Sequence, residues 1–130
     1  MSNEAIIRAS YDAWTRRDID GLIDLVHPES EARPILGANL EADVYHGHEG
    51  TRRWLTDLHQ EWETFETTVH WIEERGDRAV CAFQIHARGR ASGAVIDGEL
   101  YHLLEFREGR ILRLEAFRER ESAMEALGAT

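Results

Sequence analysis

Cysteine and proline are scarce: Cys81 stands alone, and there are two prolines among 130 residues. One cysteine excludes an internal disulfide and a cysteine-based metal cluster. On the odd register of an expected strand, Cys81 reads as a small buried hydrophobe rather than a nucleophile. No apolar run approaches the roughly 18 residues of a membrane-crossing helix. No basic-then-apolar leader opens the chain, so the expectation is a cytoplasmic protein with no membrane partner. A glycine-rich phosphate loop and a nucleophile elbow are both missing. Ser10, Ser30, Ser92 and Ser122 have no histidine beside them in sequence or inferred register. Positive charge is in deficit too: 15 Lys and Arg against 25 Asp and Glu leave a net charge of −10. Such a surface repels phosphate backbones, so nucleic acid is not an expected partner.

What remains is globular in composition, with 42% hydrophobic and 31% charged residues. The length suits one domain, 1–130, with a real core. Ile6, Ile7, Ser10, Tyr11 and Trp14 recur at spacings of three and four, which predicts a helix over 3–17. Asp18 caps a second helix through Leu22, Ile23, Leu25 and Val26. His27-Pro28 ends it, because the residue before proline avoids the α region. A short strand and loop follow over about 31–46, with Pro34, Gly37 and Asn39 as breakers. A third helix runs from Gly47 to Trp62. Four strands are expected at about 64–74, 78–90, 95–107 and 111–118, joined by glycine turns. A short helix over 119–127 closes the chain. The fold class is α+β, with helices packed on one face of a curved sheet.

The run Ala79 to Arg88 carries the most information. Its odd positions are apolar throughout. Its even positions begin apolar (Val80, Ala82) and turn polar (Gln84, His86, Arg88). A strand has a side-chain period of two, so one face is greasy and the other becomes polar toward one end. A plain core would not take Gln, His and Arg, whereas a cavity lining would.

Several residues together resemble the nuclear transport factor 2-like superfamily, and its SnoaL-like branch in particular. They are Trp14, Asp18-Ile19-Asp20-Gly21-Leu22, His46-Gly47, Gly76-Asp77-Arg78, Arg88 to Gly93, Gly109-Arg110-Ile111 and Ala123 to Gly128. The resemblance implies a cone, in which a strongly bent antiparallel or mixed sheet wraps around N-terminal helices and encloses an apolar pocket. Members include polyketide cyclases, ketosteroid isomerase, dehydratases and epoxide hydrolases, so fold is implied more sharply than function. The catalytic positions of ketosteroid isomerase fall on Ser10 (with Tyr11 one place off), Pro34 and His102. Its oxyanion tyrosine and its base are therefore not matched. The carboxylate of the cyclases and the Asp-Arg-Asp set of the epoxide hydrolases also lack an inward aspartate; Asp97 sits near the rim.

In the register the resemblance implies, Val80, Ala82, Gln84, His86 and Arg88 face the cone with Leu100, His102 and Leu104. A hairpin centred near 93 sets Gln84 opposite His102, with His86 diagonal. His102 and His86 are then the candidate proton-transfer groups. Gln84, Trp14, Tyr11, Arg88 and Arg118 are the candidate ligand contacts. Core packing is the competing reading for Trp14, Tyr11 and Trp54, and an ion pair with a glutamate for Arg118. Two functions stay open: cofactor-free acid/base chemistry on a small hydrophobic molecule, or a non-catalytic pocket or scaffold protein. His46-Gly47-His48-Glu49 enters a helix with its histidines two apart, a poor spacing for a metal. His70, His86 and His102 recur every 16 residues because the strands are of similar length. With the even face inside, the apolar odd face (Ala79, Cys81, Phe83, Ile85) points outward and predicts a homodimer seam.

Overall fold

A computed structural model describes residues 1–35 and 44–128. The expected breakers Gly37 and Asn39 lie outside the described residues. Helix α1 spans Asn3–Thr15, and Ser2 caps it by accepting from the Ala5 amide at 3.1 Å. Helix α2, Ile19–Ile23, is capped by Asp18, which accepts from the Gly21 amide at 3.0 Å. It stops earlier than the apolar pattern suggests. Val26–Arg33 is strand β1, so Val26 and His27 are already extended on the approach to Pro28.

Strand β2 is Tyr45–His46 and helix α3 is Gly47–Glu61. Gly47 has φ +64°, and a Cβ there would come within 2.9 Å of the Pro28 carbonyl oxygen. Only glycine lets α3 start so close to β1. Then come β3 (Trp62–Arg75), β4 (Arg78–Gly89), β5 (Val95–Arg107), β6 (Arg110–Phe117) and helix α4 (Arg120–Gly128). The six strands form one open sheet in the order β2-β1-β6-β5-β4-β3. Only the β1–β6 pair is parallel. Helices α1 and α3 close the inner face, where Ile6, Ile7, Tyr11, Trp14, Leu55 and Phe83 lie in the main core.

The β4–β5 register differs from the expected one. Gln84 pairs with Glu99, and the residue opposite His102 is Cys81. The connection accounts for the shift: it closes with Gly89 N–H donating to Ala94 O at 2.8 Å and Gly93 N–H to Gly89 O at 3.0 Å. A slip by an odd number of residues exchanges the faces of a strand. The odd positions Ala79, Cys81, Phe83, Ile85 and Ala87 therefore share the inner face with Leu100, His102 and Leu104. The even positions face outward.

This inversion explains the polarity gradient along β4. Helix α4 crosses the outer face and packs Ala123 and Leu127 on Val80, Ala82 and Tyr101. Arg78 fastens the helix end by donating to the Ala126 and Leu127 carbonyls at 3.1 and 2.7 Å. Gln84, His86 and Arg88 lie beyond the helix, on the solvent side. The odd face is therefore not the outward dimer seam expected from the sequence: Ala79, Cys81, Phe83 and Ile85 lie in the interior of the cone.

Candidate functional site

The inner face of β5 places His102 against α1. Tyr11 and His102 lie 2.5 Å apart, hydroxyl oxygen to Nδ1. Their rings stack with centroids 5.7 Å apart, and Phe83 lies 4.5 Å from the imidazole centroid. His102 is 3% exposed and Tyr11 5%. Burial disfavours the imidazolium and pulls the His102 pKa down to about 3. Burial, and then neighbouring Cys81, push the Tyr11 hydroxyl well above its usual value. Burial also pushes the Cys81 thiol up to about 12, against a smaller opposing hydrogen bond from Tyr11. All three groups are neutral near pH 7.

With both groups neutral the contact has two forms: Tyr11 O–H donates to Nδ1 and the ring proton sits on Nε2, or Nδ1–H donates to the Tyr11 oxygen and leaves its hydroxyl for Cys81. Nε2 makes no hydrogen bond among the described residues. His102 borders two cavities on the inner side of the sheet. The larger, about 40 Å³, is also walled by Ser10, Tyr11, Trp14, Ser30, Thr51 and Trp54. The smaller, about 10 Å³, lies against Trp14, Trp54, Phe83 and Pro34. One enclosed water needs roughly 10–15 Å³, so the larger space has room for about three. Trp14 stands in both walls, and its Nε1–H is buried without a partner among the described residues. The site is therefore apolar and rich in hydrogen-bond donors.

The structure brings together three of the expected residues: His102, Tyr11 and Trp14. It separates the others. Gln84 Nε2 donates to Asp97 Oδ1 at 2.7 Å on the outer face. His86, also outward and exposed, lies 3.7 Å from Asp97 Oδ2. Arg88 is exposed on the same face, and Arg118 is exposed beyond the end of β6. The face inversion removes Gln84, His86 and Arg88 from the cone together. It also parts the three evenly spaced histidines, since His70 Nδ1 meets Glu99 Oε2 at 2.5 Å on the outside. His48 Nε2 donates to the Val26 carbonyl at 2.6 Å, so the His46-Gly47-His48 segment serves as a fold clasp. Among the described residues no cluster of three His, Cys, Asp or Glu could hold a metal. No described helix is long and apolar enough to cross a membrane.

Ser30 and Thr51 went unrecognised as cavity residues. The signal for Ser30 was the alternation Ser30-Glu31-Ala32, hidden by starting the strand at 31. Ser10, the residue at the isomerase's tyrosine position, donates instead to the Ile7 carbonyl at 2.7 Å. Tyr11, one place on, is the residue that reaches His102.

Comparison with known proteins places this geometry. A protein of unknown function from Burkholderia pseudomallei, described as NTF2-like, superposes with a TM-score of 0.80 at 20% identity, covering 99% of this chain and 100% of its own. TerC, co-crystallised with polyporic acid, gives 0.78 at 23% identity, covering 98% of both chains. A Catenulispora acidiphila protein with a ketosteroid isomerase-like fold, in complex with trimethylamine, gives 0.78 at 16% identity, covering 100% of this chain and 96% of its own. At these identities the likeness is one of fold. No protein with a curated function matches. The family described as SnoaL-like domain matches residues 7–114, from within the first helix into the last strand. The chain therefore belongs to the SnoaL-like family.

Proposed function

We propose that the protein binds a compact, neutral, mostly apolar carbonyl compound in the cone, with His102 Nε2–H as the hydrogen-bond donor. The observation that carries this reading is the Tyr11–His102 contact at 2.5 Å, inside an apolar cavity. In the tautomer whose Nδ1 accepts from Tyr11 O–H, the imidazole donates only through Nε2. A preset donor in a dry site polarises a carbonyl without reorganising. With its pKa near 3, His102 is a poor base at neutral pH. No other histidine and no lysine supports base or imine chemistry in the pocket. The sequence contains no lysine at all, and the other described histidines are not among the cavity-lining residues. The carboxylate among the described lining residues, Glu31, belongs to the less buried register of β1, so binding with polarisation is favoured over proton abstraction.

The enzymatic alternative rests on the same pair. Polarising a carbonyl acidifies the adjacent C–H, as a cyclase or isomerase step of the kind found in this family would need. Acetophenone serves as a neutral carbonyl probe, titrated into wild type, Tyr11→Phe and His102→Phe by calorimetry. The expected result is measurable binding to wild type and about tenfold weaker binding to His102→Phe, a loss of about 1.4 kcal/mol. Equal affinity in wild type and His102→Phe would overturn the reading.

A further inference from the structure

We infer that Ser30 is a second polar contact for the ligand, so that the compound held in the cone carries oxygen at both ends of an apolar span. This rests on the pocket reading above and deepens it. Ser30 lies on β1 and is 4% exposed. The burial alternation of β1 turns Ser30 and Ala32 inward, between the less buried Glu29, Glu31 and Arg33. Ser30 lines the larger cavity, and its hydroxyl makes no hydrogen bond among the described residues. The other hydroxyls on that wall are already donating: Ser10 to the Ile7 carbonyl at 2.7 Å and Thr51 to the Gly47 carbonyl at 2.8 Å. The Ser30 oxygen is not among the fully enclosed unpaired atoms, so it opens onto the cavity. A ligand group that pairs with it takes the place a water would hold there.

The topology sets the ligand's shape. Strand β6 lies between β1 and β5, and neighbouring strands are about 4.8 Å apart, so Ser30 and His102 stand about 10 Å or more apart across the sheet. Ile111 and Leu114 of β6 line the interval, with Leu22 and Trp54 on the helical side. The middle of the ligand is therefore apolar. Its far end is best a hydroxyl, which can both donate to and accept from a serine. The charge environment argues for a neutral compound, because among the described residues the one charged group on the wall is Glu31. A carboxylate would find no counter-charge there.

Three probes separate the ends: 4-hydroxyacetophenone carries both groups, acetophenone lacks the hydroxyl and phenol lacks the carbonyl. Each is titrated into wild type, Ser30→Ala and His102→Phe. Wild type should prefer 4-hydroxyacetophenone over acetophenone about fivefold. Ser30→Ala should erase that preference while leaving acetophenone affinity within about twofold. Ser30→Cys, which keeps the volume but donates weakly, should do the same if the alanine variant is unsound. A preference that survives in Ser30→Ala and Ser30→Cys, or is absent from wild type, overturns the assignment of Ser30 alone. Acetophenone binding that is indifferent to His102→Phe, or no binding of any probe to wild type, overturns the pocket reading beneath it.

Discussion

At the scale of single residues, the site depends on keeping Tyr11 and His102 neutral and facing one another. Removing the phenol in Tyr11→Phe leaves Nδ1 buried without a donor, at a cost of about 1–3 kcal/mol. Chemical denaturation should show that loss with an unchanged m-value. The pH dependence follows from the depressed His102 pKa. An unfolded histidine takes its proton near pH 6.5, and the folded one only near pH 3. Between those values the unfolded state binds more protons, so stability falls as pH falls, by at most about 1.4 kcal/mol per pH unit from this group. Above pH 6.5 its contribution is constant. His102→Phe should flatten the stability profile between pH 4 and 6. An equally steep acid limb in that variant would mean that another group sets it. The inward placement of His102 could be read from the chain, because its neighbours Leu100 and Leu104 share its face. Tyr11 as its partner could not: spacing along a helix says which residues share a stripe, not which strand residue the stripe meets.

At the scale of elements, helix α4 explains what the alternation along β4 left ambiguous. An alternating strand defines two faces but not which one is inside. The polar end of the even register suggested a cavity lining, and the greasy odd register suggested a dimer seam. Both suggestions assumed that the even face was the inner one. The five residues between Gly89 and Val95 set the pairing, and a loop of irregular geometry is where residue patterns say least. The short C-terminal helix was legible from its sequence. Its docking site was not, because Ala123 and Leu127 carry little pattern by themselves. The docking makes a prediction. Leu127 is 1% exposed under Val80 and Ala82, so Leu127→Ala should cost about 2–5 kcal/mol. Arg78→Ala should cost less, about 1–3 kcal/mol, by freeing two carbonyls at the end of α4. Hydrogen exchange in that variant should rise in α4 and in the parts of β4 and β5 that it covers, with α1 unaffected. Uniform loss of protection would show that α4 is not a separable cover.

At the scale of the whole molecule, the order of helices and strands was readable almost throughout. Caps and glycine turns are local chemistry, and Asp18 and Gly47 act as their residue types demand. The cone and its family follow from that order. What the cone holds is decided by long-range register, which no local signal encodes. The net charge of −10 makes a further expectation. Self-repulsion opposes the compact state, so moderate salt should raise the melting temperature. A melting temperature that falls steadily with added sodium chloride would show that attractive ion pairs dominate. The surface pairs are mostly exposed, such as Arg16–Asp12 at 2.9 Å, and such pairs contribute little.

The central claim is that His102 stands neutral in the cone, with Nδ1 held by Tyr11 and Nε2–H offered to a ligand. Nitrogen-15 correlation spectra of the histidine rings, recorded across pH and with acetophenone, test it most directly. The expected result is a His102 ring that keeps the Nε2–H tautomer down to about pH 4 and whose Nε2 resonance moves on adding acetophenone. A His102 ring that titrates near pH 6.5, or that carries its proton on Nδ1, would contradict the claim.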